Sequence, residues 1–374
     1  MEKREYQQTA IAFLRTLRRG ILKAPAGAGK TYITASALHQ CLERRSRPNR
    51  AIVEIMVNTR EQVEQMANAC NIFDIAKRCE LVIYCAAGAP QDTKPDLLIV
   101  DECHHMSADS WHAKALQCEG ARWGLSATPY DDKENEDVQR IIEVFGDKMH
   151  TIERAELVQD GHLSRAQVIW LSVSCHDIGA RIDAEADNLE AERRAKNVWL
   201  FKDPESERKQ ISQCRWQAAA SIGIFDNEAR DARIVGAALD AMQGGKHVII
   251  LIGKIEHGER LQKSIPGAML CYSKMGAKRR RHAIGEFRAG AVQCLIGTSM
   301  LDEGFDAPIA DCLILASAGK SARKAIQSTG RVLRPYDGKS GGVIYDMLDG
   351  FDGMLANQAR KRRAIYAELN YSQK

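Results

Sequence analysis

The hydrophobic positions of this 374-residue chain fall into short apolar runs separated by longer amphipathic stretches. Runs at Gly20-Ile21-Leu22-Lys23, at residues 51–57 and at Leu97-Leu98-Ile99-Val100 read as buried strands, and residues 31–42 carry helical spacing between the first two. Alternation of this kind predicts a parallel sheet with crossover helices, whose working edge is the C-terminal ends of its strands. From about 176 to 231 the texture changes. Charged, alanine-containing segments such as residues 184–194 hold few β-branched residues and predict a helical insertion. The strand–helix rhythm returns with a helix over about 232–242 and strands at 248–252, 292–296, 312–316 and 343–345. The pattern predicts an α/β protein with two parallel-sheet lobes, residues 1–165 and 166–374, the second containing the insertion. A chain of this length supports two cores more readily than one.

Candidate chemistry gathers at the strand ends. Ala24-Pro25-Ala26-Gly27-Ala28-Gly29-Lys30-Thr31 stands between a strand and a helix. Its glycines let several N–H groups point at one anion, and the helix that follows adds its positive end. Lys30 is placed to meet the β- and γ-phosphates of a nucleoside triphosphate, and Thr31 offers a hydroxyl oxygen to Mg²⁺. Asp101 and Glu102 follow an apolar strand and emerge at the same sheet edge. Asp101 is expected to hold Mg²⁺, and Glu102 to orient and deprotonate the attacking water. Hydrolysis also needs positive charge beyond the γ-phosphate, and Gln327-Ser328-Thr329-Gly330-Arg331-Val332-Leu333-Arg334 brings an arginine pair from the second lobe.

Composition narrows the picture only a little. With 45% hydrophobic and 27% charged residues the chain reads as globular, and its apolar runs are too short to span a bilayer. The charged start, Met1-Glu2-Lys3-Arg4-Glu5, is unlike a signal peptide, so a cytoplasmic location is expected. Eleven cysteines never approach Cys-x-x-Cys spacing, which argues for core thiols and against a zinc site. A net charge of +4 permits a polyanionic partner. The basic clusters at 44–47 and 278–281 read as solvated faces, whereas the run at 360–363 could dock on a lobe or on nucleic acid.

Several blocks carry a resemblance. Asp101-Glu102-Cys103-His104 resembles the DECH form of the DEAD/DEAH signature, and Gly124-Leu125-Ser126-Ala127-Thr128-Pro129 resembles the Ser-Ala-Thr coupling motif of superfamily 2 helicases and translocases. Tyr6 and Gln7 resemble the adenine-recognition element, and Thr59-Arg60 the first lobe's nucleic-acid motif. In the second lobe, Thr298 to Pro308 and Gln327 to Arg334 resemble the linking and arginine-finger motifs. The resemblance lies with the double-stranded-DNA-directed branch: recombination and branch-migration helicases, transcription-repair helicases and type I and III restriction motor subunits. It implies tandem RecA-like lobes with an ATP cleft between them, ATP and Mg²⁺ as cofactors, and a DNA helicase or translocase moving 3′ to 5′.

Residue by residue, it implies catalysis by Lys30, Asp101, Glu102, Gln327, Arg331 and Arg334. ATP contacts fall to Tyr6, Gln7, Ala26, Gly27, Ala28, Gly29, Lys30, Thr31, Gly304 and Asp306, with Thr31 and Asp101 on the metal. His104, Ser126 and Thr128 would couple nucleotide state to movement, and Thr59, Arg60 and Thr298 would hold the strand. Duplex, forked or single-stranded DNA is the implied partner, taken up by a monomer, with a further protein supplying specificity. One departure is Tyr84-Cys85-Ala86-Ala87-Gly88, where the branch carries hydroxyl and amide side chains, and this weakens the expected grip on phosphate. An RNA helicase and a slow ATP-dependent binding switch are the competing readings.

Overall fold

In a computed structural model, residues 4–44, 50–89, 93–130, 136–175, 177–196, 203–298, 307–317, 339 and 341–374 are described, apart from the side chains of Glu61 and Ala87. They form two units, Met1–Leu163 and Ser164–Lys374. The first runs α1 (Glu5–Thr16), β1 (Arg19–Lys23), α2 (Lys30–Glu43), β2 (Ala51–Val57), α3 (Arg60–Ile72), α4 (Ile75–Arg78), β3 (Cys79–Cys85), β4 (Leu97–Asp101), α5 (Asp109–Leu116), β5 (Ala121–Ser126), α6 (Glu136–Phe145), β6 (Met149–Thr151) and α7 (Arg154–Gln159). Its six strands are all parallel, in the order β3-β2-β4-β5-β1-β6.

Side-chain alternation divides the core of this unit between the two faces of the sheet. On β4, Leu97 and Ile99 pack with Ile11 and Leu14 of α1 and with Ile33 and Leu38 of α2. Leu98 and Val100 face Trp111 of α5 and Phe145 of α6 instead. Strand β2 buries one charge, Glu54, whose carboxylate accepts a hydrogen bond from the Tyr84 hydroxyl at 2.7 Å and one from Thr93, and lies 3.5 Å from Lys114 Nζ. A carboxylate in such a place needs this set of partners.

The second unit runs β7 (Ala166–Val173), α8 (Ile178–Ala195), α9 (Pro204–Ala218), α10 (Glu228–Gln243), β8 (Val248–Leu251), α11 (Ile255–Ser264), β9 (Met269–Cys271), α12 (Ala277–Arg288), β10 (Cys294–Gly297), β11 (Cys312–Leu315), β12 (Gly342–Asp349), α13 (Gly353–Glu368) and β13 (Ser372–Gln373). Its strands are again parallel, ordered β13-β7-β12-β11-β8-β10-β9. The expected α/β class with two parallel sheets is borne out. Helices α8 and α9 follow β7, and a π-helical stretch, Ala219–Phe225, continues α9. Ile182, Ala186, Ala218 and Ile224 give these helices a small core, closed by Leu355 of α13.

Two strands differ from the sequence reading by more than one residue at an end. The strand expected at 292–296 begins at Cys294, because Gly290, at φ 76°, turns the chain just before it. The strand expected at 343–345 extends to Asp349, through acidic positions that a buried strand ordinarily rejects. Both carboxylates are paired. Arg362 grips Asp346 with Nε at 2.8 Å and Nη2 at 2.9 Å, and the Tyr366 hydroxyl donates to the same carboxylate at 3.0 Å. Arg230 Nε meets Asp349 at 3.0 Å. The basic run at 360–363 therefore splits: Arg362 docks α13 on its own sheet, while Arg360, Lys361 and Arg363 are exposed.

Removing one partner of a buried ion pair leaves the other charge stranded, at about 3–5 kcal/mol. Arg362→Ala is expected to lower stability by about that amount, and Arg363→Ala by less than about 0.5 kcal/mol. Urea unfolding of the two variants, compared at equal m-value, checks the contrast.

Candidate functional site

Parallel pairing brings three strand ends of the first unit level. Lys23 at the end of β1 pairs with Ser126 at the end of β5, and Leu125 pairs with Asp101 at the end of β4. The chain leaving β1 continues the ladder for one residue, Ala24 N–H donating to the Ser126 carbonyl at 3.0 Å. It then forms the loop Ala24–Gly29 and enters α2 at Lys30.

Gly27 and Gly29 sit at φ 89° and 82°, a left-handed backbone that L-residues adopt only at a cost. A Cβ on Gly29 would also lie 3.3 Å from Gln7 Nε2. Gln7 is buried on α1, and its neighbour Tyr6 donates its hydroxyl to the Ala28 carbonyl at 3.2 Å. The two residues of the expected base-recognition element are therefore built onto the loop itself. Ala26 is half-buried and Ala28 buried, so the loop's outer surface is formed by backbone at Gly27.

Lys30 Nζ donates to the Ala24 carbonyl at 3.1 Å, folded back over the loop. Its charge also reaches Asp101. Burial pushes the Asp101 carboxyl above the usual carboxylate range, opposed by Lys30 and by the Glu102 N–H, which donates to Asp101 Oδ1 at 3.1 Å. Thr31 follows Lys30 in the first turn of α2. A buried carboxylate, a threonine hydroxyl, a lysine and a glycine-bearing loop at a helix N-terminus match the donor set of a magnesium–triphosphate site.

Glu102 takes the left-handed conformation, φ 54° and ψ 51°, which for a residue with a side chain stores strain. That geometry starts the 3₁₀ turn Cys103–Ser107 and brings His104 beneath the carboxylate. Nδ1 of His104 lies 3.4 Å from Glu102 Oε2 and 3.1 Å from the Ser126 hydroxyl, which accepts from the Thr128 N–H at 3.1 Å. Glu102, His104, Ser126 and Thr128 thus form one continuous polar chain across two strand ends. The hydroxyl of Thr128 is buried without a hydrogen-bond partner among the described residues.

The remaining expected residues are spread more widely. Thr59 caps α3 in a reciprocal capping box, its hydroxyl accepting from Gln62 N–H at 3.3 Å, and Arg60 is exposed beside it. Thr298 follows β10 in the second unit and is half-buried. Gly304, Asp306, Gln327, Arg331 and Arg334 lie outside the described residues. One neighbour was missed by sequence reading: the His162 ring lies 5.6 Å from that of Tyr6. A lone histidine after Gly161 carries no periodic signal. Only the fold brings it beside the loop.

The family described as type III restriction enzyme, res subunit, matches residues 1–84, and the helicase conserved C-terminal domain matches residues 232–336. A protein of Sulfolobus islandicus filamentous virus, provisionally named helicase 22, is 25% identical over 99% of this chain and 68% of its own length. A Halobacterium salinarum protein, provisionally named DNA 3′-5′ helicase Rad25, is 24% identical over 90% of this chain, which spans about half of it, 52%. DNA 3′-5′ translocase XPB2 of Sulfurisphaera tokodaii is 22% identical over 90% of this chain and 80% of its own length. Among solved structures, the Hef helicase domain of Pyrococcus furiosus superposes with a TM-score of 0.57 at 16% identity, over 93% of this chain and 96% of that one. A fragment from Vibrio vulnificus, provisionally assigned as the HsdR subunit of a type I restriction enzyme, gives 0.64 at 19% identity, over 96% of this chain and 66% of that one.

Gly29→Ala tests the loop. The left-handed backbone is expected to cost about 1–2 kcal/mol of stability and to weaken binding of a nucleoside triphosphate at least about tenfold. Urea unfolding and the fluorescence anisotropy of a labelled ATP analogue read the two effects separately.

Proposed function

We propose, for a chain that belongs to the superfamily 2 helicases and translocases, an ATP-hydrolysing motor that moves along DNA. The observation that carries this reading is the level meeting of the phosphate loop with Asp101 and Glu102 at one sheet edge, joined to Ser126 and Thr128 through His104. DNA as the substrate draws support from the relatives named as DNA helicase and translocase.

In this reading Mg²⁺, held by Asp101 and Thr31, would supply charge neutralisation on the phosphates. Tyr6, Gln7 and His162 position the base. Backbone N–H groups from Ala26 to Gly29 hold the phosphates, and Lys30 leaves the Ala24 carbonyl to meet the γ-phosphate. Glu102 orients the water and takes its proton, and the oxygen–phosphorus bond to the leaving diphosphate breaks as the new one forms. His104 Nδ1 stands 3.4 Å from Glu102 Oε2 and within hydrogen-bond reach of the Ser126 hydroxyl. A change in Glu102 is therefore felt at Ser126 and Thr128. Arg331 and Arg334 are assigned to the charge that develops on the γ-phosphate, Gln327 to the same step, and Gly304 and Asp306 to the nucleotide. Thr59, Arg60 and Thr298 are assigned to backbone phosphates, which makes binding insensitive to sequence and weaker in salt. We assign the protein to the cytoplasm, as a monomer on DNA that takes its specificity from a partner.

Steady-state ATP hydrolysis without nucleic acid, and with single-stranded DNA, blunt duplex, forked DNA or RNA, tests the proposal. DNA is expected to stimulate turnover at least about tenfold, and Glu102→Gln to lose about 10²–10⁴-fold while still binding the nucleotide. Stimulation by RNA alone, or by no polymer, would overturn it.

A further inference from the structure

The helices that follow β7 border a half-open cavity of about 400 Å³, a size typical of small-ligand sites. Its wall is aromatic on two sides, Trp216 from the end of α9 and Phe225 from the π-helical stretch, both half-buried. Lys254, at the start of α11 just beyond the C-terminal end of β8, closes the mouth with Nζ 4.7 Å from the Phe225 ring centroid. The polar lining comes from Glu185, Gln213, Gln217 and Ser221.

The local backbone is shaped around this space. Hydrogen bonds in a π-helix run i to i+5, as from Asp226 N–H to the Ser221 carbonyl at 2.9 Å. Ala220, Ser221 and Phe225 of this widened stretch all line the cavity. Such stretches are rare and concentrate at functional sites. A neighbouring arginine orients the amides as well. Arg193 donates to Gln217 Oε1 at 3.1 Å and to Gln213 Oε1 at 3.4 Å, which leaves the NH₂ groups as the donors turned to other partners.

From these observations we infer that the cavity receives one unpaired base of a DNA strand, stacked on Trp216, with the adjoining phosphate at Lys254. The inference rests on the DNA-motor reading above. Aromatic faces take any base through its π-surface. Amide donors and the Glu185 carboxylate match a base edge that carries both ring acceptors and an exocyclic amine, cytosine among them. A free anion alone would be repelled by Glu185, and an aliphatic ligand would leave the amides unpaired. The site sits beside the C-terminal ends of the second sheet, the edge at which such sheets meet their ligands.

The test uses the full chain, without nucleotide, and measures anisotropy of a fluorescent oligodeoxycytidylate and of a blunt duplex at neutral pH. Trp216→Ala is expected to weaken the single strand at least about fivefold and the blunt duplex less than about twofold, with Trp216→Phe keeping most of the affinity. Lys254→Ala, at an exposed position that folding tolerates, should weaken the single strand and reduce the slope of log affinity against log salt by about one. DNA-free ATP hydrolysis should be unchanged in all three. Equal weakening of single strand and duplex, or none in either Trp216→Ala or Lys254→Ala, would overturn the inference. If DNA stimulates the unmodified chain while these variants bind as it does, the pocket assignment fails alone; if DNA stimulates no variant and not the unmodified chain, the motor reading fails with it.

Discussion

In a parallel sheet all strands finish at the same side, and the chemistry of the first unit depends on how level they finish. Ser126 stands between Lys23 and Asp101 because β5 pairs with β1 on one side and β4 on the other. The phosphate loop and the two carboxylates therefore cannot drift independently, since both are pinned to the same central strand. A slip of β5 by one residue would turn the Ser126 hydroxyl to the opposite face and cut the polar chain through His104. Hydrogen-bonded backbone, stiffer than any side-chain contact, sets the distance between the parts.

Two local features make room for that arrangement. Glycine at 124 lets the turn Cys103–Ser107 lie flat against β5, since a Cβ there would come within 3.1 Å of Cys103 and Phe145. Glu102 accepts a left-handed backbone so that its N–H can return to the Asp101 carboxylate. The cost of that conformation, about 1–2 kcal/mol, is offset by the buried contacts of Cys103, His104 and Met106. In the second unit the comparable demand is electrostatic. Asp346 and Asp349 occupy the middle of a sheet only because Arg362 and Arg230 arrive from two different helices.

Much of this was legible in the chain. The strands at 51–57 and 97–101 announce themselves by apolar runs, broken only at Glu54 and ended at Asp101, and Gly27, Gly29 and Lys30 fix the loop by steric need and charge. The length of β12 was hidden, because Asp346 and Asp349 look like a strand's end until their partners, distant in sequence, are known. His162 and the Arg362 ion pair were hidden for the same reason: each depends on a tertiary neighbour, with no local period to betray it. The π-helical widening at Ala219–Phe225 leaves no periodic mark of its own in the sequence.

The pairing of β7 with β12 has a kinetic side. Ala166 is hydrogen-bond partner to the region of Gly342, and everything between them, the helices after β7 and the strands β8 to β11, lies inside that closed loop. Contacts so far apart in sequence form late and slow the search for the native state. While β12 is still being made, β7 waits with an unpaired edge carrying Val168, Leu171 and Val173, the kind of surface on which folding chains aggregate. The helices that follow β7 close locally and can order first. The β7–β12 seam is thus the pairing of the second unit that closes one of its longest loops.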